Sequence, residues 1–567
     1  MSDMKKSIIH LLIPGIIILS YGCDKFLELE YDNNISLDQV VGDPAKAEGI
    51  LLNAYAQLPS QLDFTDVATD NAVINVKDYD LTKMATGSWK STFNPLSVWA
   101  SSYTNIMYIN LFLDKVDQVE WSWESEWQNR EFAKRLKGEA YGLRAFYQFR
   151  LLESHAGKDA SGNYLGFGIV KDFFSVNENV PDLKRGTYKE CFDQLINDLD
   201  SAIKYLPLAY ADLPAGDPIK SDYDAVYGSR FRNRMNRQAA LFLKAKLMLH
   251  AASPAFSATN VSTYEDAAVA AATLINLPIV GGLNKLVNSR NEYYLSLTDP
   301  DILWRSDRVL SSSTLEAANF PPSLYGNGQV NPSQNFINAF PMKKGYPIDH
   351  ALSGYSEATP FIDRDPRLGK YVIYNGTSFK SKTINTVSDP KDGFNAIETS
   401  TRTGYYLKKH LFSTVSLTPG SVQGQTHFNT LMRYSEVFLM FAEAANQAWG
   451  PDLDPMAYGY TARSVIAKIR STAGITPDSF LPLVTTTTAM DSLIRNERRI
   501  ELCFEDTRFW DIRRWNDLEA MKQTVRGTSD GGLTSLDIET RNYLDYMIYG
   551  PIPDSEAKKG LIQNSGW

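Results

Sequence analysis

The sequence predicts a mainly α fold: a scaffold of paired helices beside a loop-rich, irregular lobe containing a few short strands. Three observations carry that prediction. Nine long segments place apolar residues three or four apart, the spacing of one helix face. Three of them share a pattern in which Ala145, Ala245 and Ala442 each follow a bulky residue (Tyr141, Leu241, Phe438) by four positions. Between Pro278 and Thr430 the helical spacing fades, and Gly, Pro, Ser and Asn rise.

The chain opens with Lys5 and Lys6, then a mostly apolar run from Ile8 to Leu19. Twelve residues are too few to span a bilayer, which takes about 20. The run reads as the apolar core of a signal peptide over residues 1–22. It ends in Ser20-Tyr21-Gly22-Cys23, which resembles a bacterial lipobox, although Leu19 stands four residues before the Cys instead of three. A plain secretory signal is the alternative. As a lipobox it would make Cys23 the first mature residue, carrying acyl chains that each anchor by about 0.8 kcal/mol per buried methylene. The acidic run Asp24–Glu30 follows, similar to a surface-export signal of Bacteroidota-type lipoproteins.

Helical spacing then marks Ala45–Leu58, Ser97–Val119, Glu124–His155 (one helix or two in series), Tyr188–Leu206, Arg237–Ala252 and Tyr264–Leu274. Thr187 with Glu190, and Thr263 with Asp266, are capping-box signatures opening two of these helices. The small residues Ala145, Ala245 and Ala442 let a neighbouring helix approach closely. Large helices followed by Tyr-led partners give a tetratricopeptide-like scaffold with long insertions. Its N-terminal part is expected over residues 23–277, with a polar, aromatic insertion near 61–95. The irregular lobe is expected over 278–430, where Tyr371–Phe379 and Thr401–Phe412 read as short strands. Residues 431–567 are expected to complete the scaffold with Tyr434–Trp449, Ala457–Thr472 and Met490–Glu505. Asp454 and Pro455 are placed like an N-cap and first residue for the second of these.

Composition narrows the function. A net charge of −9 argues against a nucleic-acid binder, which needs a basic face. An aromatic share of 12% suits sugar rings or a dense core. Besides Cys23 only Cys191 and Cys503 occur, so there is no disulfide framework. No His pair has zinc spacing, and no nucleophile elbow, phosphate loop or dinucleotide fingerprint occurs. Ser388–Asn395 lacks the alternating acids and final Glu of a calcium loop. No cofactor is implied.

The stretch Asn496–Trp515, NERRIELCFEDTRFWDIRRW, carries charge on ten of its twenty residues. Arg498 with Glu501, and Glu505 with Arg508, lie three apart and are expected to pair on an exposed helix face for tenths of a kcal/mol. Ile500, Phe504 and Cys503 form its apolar stripe, continued by Phe509, Trp510 and Trp515. Glu501→Gln is therefore expected to leave ligand binding intact.

Seven pieces together resemble the SusD/RagB family: the signal ending in Cys23, Val98–Asn110, Lys137–Gly157, Asn236–Ser253, Pro332–Leu368, Met432–Gln447 and Asn496–Trp515. They come in the family's order, and only Glu153–Gly157 departs, lacking the usual tyrosine-glycine ending. The resemblance implies a non-enzymatic, outer-membrane lipoprotein facing the exterior. It implies capture of oligosaccharides for a SusC-like TonB-dependent transporter barrel, over which the protein sits as a lid, in a dimer of such pairs. A peptide-binding lid of the same fold, an all-α glycosidase and a purely structural scaffold are the rival readings. Loops away from the scaffold are where the resemblance puts the ligand. Asp70, Tyr79 and Trp89 from the first insertion, Tyr325 and Asn327 from the second, and Arg402 from the strand region are the candidates. Their aromatic faces would stack on sugar rings, and their polar groups would bond adjacent hydroxyls. Trp99, on a periodic helix face, is assigned to the core.

Overall fold

The computed structural model describes residues 40–173, 183–288, 292–306 and 310–567. The expected signal and the lipidation site Cys23 lie outside them. The scaffold is built around the helices α1 Pro44–Ala56, α2 Trp99–Lys115, α3 Glu126–His155, α4 Tyr188–Tyr205, α5 Arg237–Ala252, α6 Tyr264–Ile275, α7 Tyr434–Trp449, α8 Ala462–Thr472, α9 Thr487–Glu501 and α10 Arg508–Arg514. Each of α1 to α8 packs against the next in sequence, and α9 also packs on α7. This serial stacking of helix pairs is the tetratricopeptide-like arrangement that the repeated pattern predicts.

Local chemistry starts and spaces these helices. Thr187 and Thr263 accept the N–H of Glu190 and Asp266, whose carboxylates accept the Thr N–H groups in return. Ala145, Ala245 and Ala442 are fully buried. On α3, Gly142 brings the backbone so close to Met235 that an added Cβ would stand 2.6 Å from its Cγ. Glu124–His155 contains one continuous helix, α3, because no breaker interrupts it. Asp454 does not cap α8. Its carboxylate instead accepts the N–H groups of Tyr458 and Gly459, and Thr461 caps the helix by bonding Ser464. Cys191 and Cys503 are buried and unpaired, and Trp99 is buried as expected.

The irregular lobe is held by two-stranded antiparallel pairs: β1 Ala72–Ile74, β2 Ile302–Arg305, β3 Val330–Pro332, β4 Val372–Ile373, β5 Tyr406–Leu407 and β6 Thr430–Arg433. Strand β1 pairs with β3 through Ala72–Pro332, Val73–Asn331 and Ile74–Val330. Strand β2 pairs with β6, and β4 with β5. The first insertion and the lobe therefore meet in one sheet.

The charged stretch differs from its sequence reading. Helix α9 ends at Glu501, and Phe504 and Asp506 turn the chain with φ of 56° and 57° before α10 begins. Most of its charges are buried, and several pair between elements. Glu501 accepts from Arg367 (2.9 Å) and Arg433 (3.1 Å), Arg498 bonds Asp511, and Arg508 bonds Asp70. The expected exposed pairs Arg498–Glu501 and Glu505–Arg508 are thus replaced by partners on other elements: Arg367, Arg433 and Lys409 for the two glutamates, Asp511 for Arg498 and Asp70 for Arg508.

Candidate functional site

Asn75 directly follows β1, and its side-chain amide donates to the carbonyls of Asn327 (2.9 Å), Gly328 (2.9 Å) and Ser400 (3.3 Å). One side chain thus fastens three segments that are far apart in sequence. Gly328 has φ of +51°, and a Cβ there would lie 2.6 Å from the Thr399 carbonyl and from the Tyr406 ring. Glycine is required there for both reasons. Tyr325, three residues earlier, is also left-handed (φ 65°), and the residue is 58% exposed. Asn327 is exposed beside it. Arg402 reaches the same place, donating to the Ile74 carbonyl (3.0 Å) and to Glu539 (3.2 Å), with a third of its side chain in solvent. The loop carrying Tyr325 and Asn327 and the segment carrying Arg402 are thus both bonded to residues 74 and 75 at the end of β1. An aromatic face beside amide and guanidinium groups can stack on a sugar ring and bond its hydroxyls.

Tyr79 stands elsewhere, half-buried on the wall of a cavity of about 630 Å³. The cavity lies between the Pro59–Thr65 loop, α3, α5, β6 and the segment around Asp506 and Trp510. Asp506 accepts the N–H groups of Asp63 (2.8 Å) and Thr65 (2.8 Å), tying that loop to the turn before α10. Burial, followed by the nearby Asp63, pushes the Asp506 carboxyl up to about 7. Burial also raises Asp63, against the pull of Arg150, and raises Glu153. Tyr79 is raised by burial and by Asp63, Asp506 and Asp80.

Asp70 and Trp89 are not at a surface. Asp70 is 1% exposed and holds Arg499 (2.8 Å) and Arg508 (3.2 Å). Burial works against its charge, but those two guanidiniums keep its carboxyl below the ordinary range. Trp89 packs edge-on to Trp567 at 4.9 Å and donates its indole N–H to Asn94 (3.1 Å). Both are fixed into the core by partners from the C-terminal third of the chain, which loop composition alone does not reveal. The sequence reading also missed the cavity residues Asp63, Arg150 and Asp506. Asp63 and Asp506 are 443 positions apart, so no local spacing could join them.

Among the described residues no helix is long and apolar enough to cross a membrane, and no group of three or more His, Cys, Asp or Glu is set to hold a metal.

Residues 25–231 match a family model described as starch-binding, associating with the outer membrane, and residues 304–567 match the model of the SusD family. No curated protein matches the sequence. Among solved structures, a SusD-like protein from Bacteroides fragilis is similar with a TM-score of 0.71 at 21% identity, over 94% of this chain and 99% of that one. A SusD-like carbohydrate-binding protein from the same organism gives 0.69 at 19%, over 92% and 99%. Surface glycan-binding protein A from Bacteroides fluxus gives 0.60 at 17%, over 93% and 100%. At such identities the likeness is one of fold.

Proposed function

The chain belongs to the SusD/RagB family, and from that premise we propose that it is a cell-surface glycan-binding lipoprotein. It captures oligosaccharides and hands them to a SusC-like TonB-dependent transporter, over which it acts as a lid. In this reading Cys23 carries the lipid anchor that holds it on the outer membrane, facing the exterior, in a dimer of transporter–lid pairs. The protein binds and does not catalyse. The family description of starch binding at the outer membrane supports the ligand class.

The observation that carries the placement of the ligand is this junction at the end of β1. Tyr325 is exposed on a loop whose backbone Asn75 bonds at Asn327 and Gly328, and Arg402 bonds the Ile74 carbonyl next to Asn75. A loop already bonded in this way loses less conformational entropy on binding.

Titration of the protein against panels of oligosaccharides and peptides tests the reading. A neutral oligosaccharide should bind, and Tyr325→Ala should weaken it by about tenfold, roughly 1.4 kcal/mol, with no change in thermal stability. Binding of peptides alone, or release of reducing sugar on long incubation, would refute it.

A further inference from the structure

Asp63 and Asp506 stand together at the cavity and have no arginine or lysine paired with either carboxylate among the described residues. Their neighbours are matched. Glu505 pairs with Lys409 (2.6 Å) and Arg433 (2.7 Å), and Lys246 with Glu436 (3.1 Å). Asp80 pairs with Lys83 (3.3 Å). Glu153 is answered through space by Lys246, Arg513 and Arg150, and Arg150 also acts on Asp63 through space. The buried Asp66 adds further negative potential at Asp506.

We infer that the Asp63–Asp506 pair is a subsite for a protonated primary amine, supplied by an amino sugar within a bound oligosaccharide. The choice of a sugar rests on the glycan-binding function proposed for the chain. Three features of the cavity point to a ligand at this place. The cavity's 630 Å³ falls within the size of small-ligand sites, about 300–1,000 Å³. Phe64, Tyr79 and Trp510 line it, and aromatic faces attract both sugar rings and cations. Thr65 lines it too, is 2% exposed, and has a hydroxyl without a hydrogen-bond partner.

The electrostatics fit the same occupant. Asp63 raises the neighbouring Asp506, so the two resist being charged together, and Arg150, also on the cavity wall, acts on the exposed Asp63. With its carboxyl pushed up to about 7, Asp506 is partly protonated near neutral pH. An arriving ammonium keeps its own protons and takes this place, and the Asp506 proton passes to the buffer. No covalent bond forms or breaks.

The test uses calorimetric titration of the full mature chain at pH 6.5. The probes are a trimer of glucosamine and its N-acetylated counterpart, with a lysine-containing peptide as a third arm. The amine trimer should bind about tenfold more tightly than the acetylated one. Asp63→Asn should erase that margin while leaving the acetylated trimer's affinity and the thermal melt unchanged. Binding heats of the wild type should vary with the buffer's ionisation enthalpy, reporting loss of up to about one proton. Asp506→Asn should remove that dependence, and the wild-type buffer series stands alone if this variant fails to fold. Equal affinities of the two trimers, or a preference that survives Asp63→Asn, would overturn the subsite while binding weakened by Tyr325→Ala kept the glycan reading. Asp63-dependent binding of the peptide with no oligosaccharide bound would overturn both.

Discussion

Glu501→Gln removes one negative charge from the joint between lobe and scaffold while conserving shape. Glu501 is 1% exposed and takes hydrogen bonds from Arg367 and Arg433. Burial opposes its charge, but Arg433 and then Arg367 draw its carboxyl from the ordinary 4.5 down to about 2. A carboxyl held that low is worth about 3 kcal/mol at neutral pH. The amide can accept from one guanidinium, but its NH₂ then faces the other, donor against donor. Both arginines keep further acids, Arg367 through Asp365 and Glu497, and Arg433 through Asp301 and Glu505. The loss should therefore stay near 3 kcal/mol and not reach the larger cost of stripping a buried cation bare. For a chain of this length that lowers the melting temperature by about 3 °C. The folded pKa is depressed, so the stabilisation is fully present above about pH 4.5 and is lost as pH falls toward 2. The gap between wild type and variant should narrow over that window. Denaturant titrations from pH 7 to pH 3, with oligosaccharide affinity measured at pH 7, check this. A variant as stable as the wild type at pH 7 would refute the electrostatic account. A large loss of affinity in the folded variant would refute its structural role.

Asp70→Asn should lower stability by about 2–4 kcal/mol, because Arg499 and Arg508 lose the charge they share. Its oligosaccharide affinity should stay unchanged, as read by denaturation and titration of one preparation. Gly328→Ala forces a Cβ against the Thr399 carbonyl and the Tyr406 ring. It should weaken oligosaccharide binding at least as much as Tyr325→Ala, and hydrogen exchange should rise across 325–330. Thr187→Ala removes a complete capping box from α4 and should cost about 1 kcal/mol in a denaturation midpoint.

The helices were legible because their rules are local. Apolar spacing gave α5 and α7 to the residue, and Thr187 and Thr263 announced two helix starts. Failures came where a distant partner decides. Asp454-Pro455 had the look of a helix start, yet Thr461 with Ser464 made the better cap. Trp89 sat in a polar, aromatic loop and was read as a ligand platform, but Trp567 and Phe509 cover it. The segments that carry Tyr325, Asn327 and Arg402 are tied together by Asn75, a residue whose bonding to 327, 328 and 400 no spacing encodes.

The charged stretch shows why such distance matters for function. Its acids Glu497, Glu501, Glu505 and Asp511 each meet an arginine or lysine: Arg367, Arg433, Lys409 and Arg498 respectively. Several of those cations come from the lobe, so the pairs fix its position on the scaffold. An apolar joint of equal area could slide, whereas a buried ion pair loses several kcal/mol when its partner is displaced. Asp506 is the acid of this stretch with no cation bonded to it among the described residues, and it is the one that lines the cavity. A chain that pairs the other acids of the stretch with cations and gives this one only the N–H groups of Asp63 and Thr65 forgoes stability at one place. Perturbed, uncompensated groups in clefts collect where a ligand completes them, so the exception within the stretch separates its functional charge from its structural ones.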